Sequence, residues 1–121
     1  MTSSTDALSP SQLAERYFAA VDRMDLAATL ACFTPDARFT IATYNTLYQG
    51  RDTEIRAMFE RLNARYAQVW HGDFDHVVQG PNRVASRFRV RTSPTLARNW
   101  SSTTAIFLGC AARCLKKCLF I

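Results

Sequence analysis

Lysine is almost missing from this chain: Lys116 and Lys117 are the only two in 121 residues, and no Asp or Glu follows Asp75. The formal charge of +5 is therefore unevenly placed. Residues 1–96 hold eleven Arg against ten Asp or Glu, a difference of +1, and the rest comes from Arg98, Arg113, Lys116 and Lys117. A basic surface spread over a domain, as nucleic-acid binding needs, is not what this distribution describes, so no nucleic-acid partner is expected. No apolar run is long enough to cross a bilayer, and Met1 to Ser9 is polar and acidic instead of basic and apolar. Membrane insertion is thus not expected, and a cytoplasmic setting is. Residues 1–96 lack metal-ligand spacing, a Gly-rich phosphate loop and a nucleophile triad, which leaves no metal ligands and no cofactor to expect.

What is there is one core's worth of apolar residues, 48% of the chain, which suits a single domain. Ser9-Pro10-Ser11-Gln12 combines a Ser N-cap, Pro at the first helical position and a reciprocal Gln. Leu13, Tyr17, Ala20, Val21 and Met24 follow at helical spacing, predicting an amphipathic helix to about Arg23. Asp25 caps a second, shorter helix with Leu26, Leu30 and Phe33, ended by a Thr34-Pro35-Asp36 turn, and Arg38 to Thr43 reads as a strand. Asp52 is expected to cap a third helix with Ile55, Phe59, Leu62, Tyr66 and Val69 on one stripe.

The period then changes to two. Trp70, Phe74, His76 and Val78 alternate with His71, Asp73, Asp75 and Val77, and Val84, Ser86, Phe88 and Val90 alternate with four residues that include Arg87, Arg89 and Arg91. These are two strands, each with one apolar face, joined at Gly80-Pro81-Asn82. If Gln79 pairs with Arg83, Asp75 faces Arg87 and Asp73 faces Arg89, a charge-matched outer face. Helices followed by antiparallel strands imply an α+β fold with the helices packed on one face of a curved sheet.

The order Glu15-Arg16-Tyr17-Phe18-Ala19-Ala20, Asp25-Leu26, Cys32-Phe33-Thr34-Pro35-Asp36-Ala37 and Tyr48-Gln49-Gly50-Arg51-Asp52, ahead of the Trp70 to Arg91 hairpin, resembles the SnoaL-like branch of the nuclear-transport-factor-2-like superfamily. The resemblance implies a cone-shaped half barrel around a deep apolar pocket. Its members serve polyketide cyclisation, steroid isomerisation, small-molecule binding or scaffolding through dimers, so the fold alone names no reaction. Binding of a small apolar or aromatic molecule leads for this chain, and a cyclase- or isomerase-like proton transfer is the alternative. A homodimer through the open sheet face is left open.

Tyr17 sits where related isomerases place a phenol that donates to a developing oxyanion; the other reading is a core tyrosine on the helix stripe. His76 shares the apolar strand face and should point inward, either as a proton-exchanging imidazole or as a satisfied core histidine. Both are candidate catalytic residues. Trp70, Phe74, Tyr44, Tyr48, Phe59 and Phe88 are candidate pocket residues, while His71 falls on the other strand face and receives no role. The isomerase base would fall near Ile41, and no carboxylate lies between Asp36 and Asp52; a cyclase acid on a late strand is equally missing. A carboxylate facing Tyr17 and His76 would favour catalysis, and its absence would favour binding.

The division expected is a disordered 1–8, a SnoaL-like domain over 9–96 and an atypical tail over 97–121. Cys110, Cys114 and Cys118 recur at intervals of four, which neither zinc nor iron–sulfur sites normally use, and Cys32 is a lone helix residue. A basic amphipathic segment on a membrane is the other functional reading of the tail. The preferred reading is that the coding frame changes between Arg91 and Ala97. In the shifted frame Asn99-Trp100 permits only Leu, and the remaining junctions permit an alternating apolar pattern with a Gly-Lys turn. The closing strands of the sheet are accordingly expected to be missing or altered.

Overall fold

The computed structural model describes residues 9–80, 82–94, 101–111 and 115–120, with side chains as far as residue 109. The expected disorder of 1–8 and the turn residue Pro81 lie outside the described residues, as do Arg98, Arg113 and the side chains of Cys110, Cys114, Cys118, Lys116 and Lys117.

Helix α1 spans Pro10–Asp22 and starts as its sequence dictates: the Ser9 hydroxyl accepts from the Gln12 amide, and the Gln12 side chain accepts from the Ser9 amide. Its buried face, Leu13, Ala14, Tyr17, Phe18 and Val21, packs on the sheet. Met24, in the left-handed region, turns the chain into α2, Leu26–Ala31, capped by the Asp25 carboxylate. The expected Thr34-Pro35-Asp36 turn is instead part of strand β1, Phe33–Ile41. Proline is tolerated because pairing with the neighbouring strand skips from Phe33 to Arg38, leaving Pro35 in the irregular stretch.

A short 3₁₀ turn, Ala42–Tyr44, leads to β2, Thr46–Gln49. A wide π-type turn over Gly50–Ile55 then feeds α3, Arg56–Arg65. The Asp52 carboxylate is gripped by Arg51 and does not cap α3. The helix also stops short of Tyr66 and Val69, which begin β3, Tyr66–Gln79. Strand β4 is Arg83–Pro94, β5 is Ser101–Ala111 and β6 is Leu115–Phe120.

The six strands form one open sheet in the order β2-β1-β6-β5-β4-β3, with β1 and β6 parallel and the other neighbours antiparallel. Of the two outcomes expected for the closing strands, missing or altered, the first does not hold: β5 and β6 are present and occupy the middle of the sheet. The physical reason is that a strand asks only for alternation: Ala105 and Phe107 turn inward while Thr104, Ile106 and Leu108 turn outward, and β5 pairs with β4 from Arg83 to Thr92. Loss of acids and gain of cysteines do not disturb that period. Among the described residues no helix is long and apolar enough to cross a membrane.

Candidate functional site

One irregularity decides which side chains of β3 enter the core. Val69 and His71 are inward, but the pairing with β4 shifts between Gly72 and Asp75, where Asp73 takes a φ of 55°. This bulge inserts one extra residue and restores Phe74 and His76 to the inner face. Strict alternation over this stretch therefore misplaces its first half. His71, expected outside, is buried; Trp70, expected at the pocket, lies on the outer face with the Arg91 guanidinium 5.1 Å from its ring centre. The sequence signal was available: a glycine inside a strand marks a bulge or a close approach.

Helix α1 crosses this inner face and delivers two carboxylates, Glu15 and Asp22, seven residues or about two turns apart. Each reaches one histidine. Asp22 Oδ1 is 2.6 Å from His71 Nδ1, and Oδ2 accepts from the His71 backbone amide at 3.0 Å. An ionised carboxylate can only accept, so the ring proton of neutral His71 sits on Nδ1 and its Nε2 carries the lone pair. Nε2 has no hydrogen-bond partner among the described residues. The ring rests against Phe18, at 4.6 Å between centres, and Phe88, at 5.5 Å. Asp22 closes a helix whose C-terminal end disfavours negative charge, and the two donors of His71 offset that.

His76 is placed differently. Its Nε2 lies 2.6 Å from Glu15 Oε2 and its Nδ1 lies 2.7 Å from Ser86 Oγ, so both nitrogens are engaged; in the neutral ring Nε2–H donates to Glu15 and the Ser86 hydroxyl donates to Nδ1. Ser, His and Glu in a row resemble a nucleophile triad by connectivity. The hydroxyl, however, is at the buried end, with Ser86 1% exposed, while Glu15 is at the solvent end. That arrangement does not present a nucleophile.

The remaining candidate residues divide between the core and the surface. Tyr17 is a core residue whose ring touches those of Phe18, Phe33, Phe59 and Phe107. Phe59 and Phe88 belong to the same aromatic core. Phe74 bridges, packing on Phe18 and Phe88 and stacking on His76. Tyr44 is exposed in the 3₁₀ turn, and Tyr48 lies half-buried on the edge strand with the Arg61 guanidinium 6.0 Å from its ring centre. Tyr17 and His71 thus both pack against Phe18.

The surroundings of known proteins agree with this architecture. A polyketide cyclase candidate from Pseudomonas putida KT2440 is similar in fold, at a TM-score of 0.82 and 18% identity over 94% of this chain and 91% of that one. A hypothetical protein with a ketosteroid isomerase-like fold from Catenulispora acidiphila, in complex with trimethylamine, gives 0.82 and 14% over 94% and 86%. A scytalone dehydratase candidate from Novosphingobium aromaticivorans gives 0.76 and 14% over 91% and 78%. At such identities these likenesses show the fold. No functionally curated protein matches the sequence. The sequence profile of the SnoaL-like domain, in contrast, matches residues 14–108, from α1 into β5. With both the profile and the fold in agreement over most of its length, this chain belongs to the SnoaL-like domain family.

Proposed function

We propose that this SnoaL-like domain takes a small apolar or aromatic carbonyl compound and moves a proton on it without a cofactor, with His71 as the base. The observation that carries this is the Asp22 carboxylate holding both the ring Nδ1 and the backbone amide of a buried histidine whose Nε2 is left unengaged. Asp22 fixes the tautomer and stabilises the imidazolium that forms when Nε2 accepts a proton. Tyr17, packed with His71 against Phe18, supplies the donor for the developing oxyanion. His76 takes no part in the transfer in this reading, because both its nitrogens are taken. Two structural neighbours are a polyketide cyclase candidate and a scytalone dehydratase candidate, and cyclisation and dehydration can each proceed through removal of a proton beside a carbonyl.

Binding without chemistry is the second reading, favoured by the aromatic character of the interior: Tyr17 contacts Phe18, Phe33, Phe59 and Phe107, and Phe18 contacts Phe88. The two readings separate in D2O. Folded protein is incubated with aromatic ketones such as 2-tetralone, and deuterium uptake beside the carbonyl is followed by NMR. Exchange above the buffer rate that falls about 10²-fold or more in His71→Gln, and is unaltered in His76→Gln, supports proton transfer. Shifts of core resonances with no exchange support binding alone. Neither shifts nor exchange across the panel removes both.

A further inference from the structure

The outer face of the sheet carries a second site, opposite in character to the first. Regular pairing would set Asp73 against Arg89 as Asp75 is set against Arg87, whose Nη2 is 3.1 Å from Asp75 Oδ2. The bulge removes that match: Gly72, not Asp73, stands opposite Arg89. Among the described residues no carboxylate lies within ion-pair distance of Arg89 or Arg91.

The two guanidiniums are nevertheless held in place. Arg89 Nη2 donates to Ser102 Oγ at 3.1 Å, and Arg91 lies over Trp70. The indole in turn folds flat across Gly72, where a side-chain methyl would collide with its six-membered ring. Trp70, Arg89, Arg91 and Ser102 line an open groove of about 620 Å³. Its walls are an indole and two arginine stems, and its charges are two uncompensated cations spaced two residues apart on one strand.

The geometry points to a binding groove for an aromatic carboxylate, whose ring lies along the indole edge and the arginine stems and whose anionic group takes the donors of Arg89 and Arg91. Arginine suits this role because its planar fork binds carboxylate in two bonds and its face stacks on rings. Charge complementarity also argues against the other occupant of an open sheet, a second copy of the chain. A twofold contact centred on this groove would bring Arg89 and Arg91 against their own equivalents.

Calorimetric titration of the purified full chain with 2-naphthoate, and with the neutral isostere 2-naphthamide, tests the assignment. Naphthoate is expected to bind more tightly than the amide and to weaken as NaCl rises from about 0.05 to about 0.5 M. Arg89→Gln and Arg91→Gln should each weaken it about tenfold. Gly72→Ala, which displaces the indole at a position with ordinary backbone, should do the same. His71→Gln should leave it unchanged. The proposal is overturned if naphthoate and naphthamide bind alike, if both arginine variants keep wild-type affinity, or if His71→Gln abolishes binding while they do not. A dimer in sedimentation that Trp70→Ala dissociates would also overturn it, since the face would then be a self-interface.

Discussion

Replacing Asp22 with Ala tests the interior site most directly, because it removes one carboxylate and strands two donors. Both are on His71: the backbone amide at 3.0 Å and Nδ1 at 2.6 Å. The His71 side chain is 6% exposed and that of Asp22 22%, so water reaches the vacated position only in part. An unsatisfied buried donor costs about 1 to 3 kcal/mol, and the partial exposure places each here in the lower half of that range. The expected loss is about 2 to 4 kcal/mol, or about 6 to 20 °C in Tm for a domain of this size. Asp22→Asn retains one acceptor and should fall about halfway between. Glu15→Ala is the internal control. Its carboxylate makes the same 2.6 Å contact to a histidine, but it is 53% exposed, and a pair of that kind contributes less than about 1 kcal/mol. Thermal melts by circular dichroism of the three variants give the ranking. If Glu15→Ala costs as much as Asp22→Ala, or if Asp22→Ala melts within about 1 °C of wild type, burial is not what distinguishes the two pairs and the reasoning fails.

Phe59→Ala and Phe88→Ala should each destabilise by about 3 to 5 kcal/mol, since both rings are buried among other aromatics; urea titration with an unchanged midpoint would contradict this. Gly50 has a φ of 91°, and an added methyl would collide with the Thr53 side chain, so Gly50→Ala should cost about 1 to 2 kcal/mol in the same assay. The hydrogen bonds from Arg51 hold the Asp52 carboxyl below its ordinary 3.8 against the opposing effect of desolvation, with the charges of Arg51 and Arg56 adding to the lowering. Because the folded value is depressed, any stabilisation is present above 3.8 and is lost as pH falls through the folded value. NMR titration of Arg51→Gln should return Asp52 toward 3.8. Sequencing the coding region tests the frame change proposed between Arg91 and Ala97: a stop codon in the shifted frame before the last codon would dispose of it.

Local chemistry was legible where one residue determines one contact. The Ser9 and Gln12 caps, the Asp25 cap, and the pairing of Gln79 with Arg83 and Asp75 with Arg87 were readable because each depends on neighbours in sequence. Tyr66 and Val69 were not, because they continue the helical stripe of Ile55, Phe59 and Leu62 while also suiting a strand, and the sheet took them. Asp52 offered a cap, but Arg51 beside it offered two stronger bonds. The site was half legible for a similar reason. His76 was placed inward by its alternation with Phe74 and Val78, whereas His71 lies beyond the bulge, where the alternation changes parity. Neither carboxylate partner was visible, since Glu15 and Asp22 lie 61 and 49 residues away and meet the histidines only when α1 docks.

That change of parity has an evolutionary side. His71 and His76 are five apart, an odd interval that in a regular strand would send them to opposite faces, and the single additional residue at the bulge is what turns both inward. Deleting Asp73 alone would rotate everything before it by half a turn, bringing an indole into the core and an imidazole into solvent. A sheet of this kind can therefore exchange the chemistry it offers its interior by gaining or losing one codon, without a single substitution. Alignments of its relatives that permit no gaps within the third strand would hide that route.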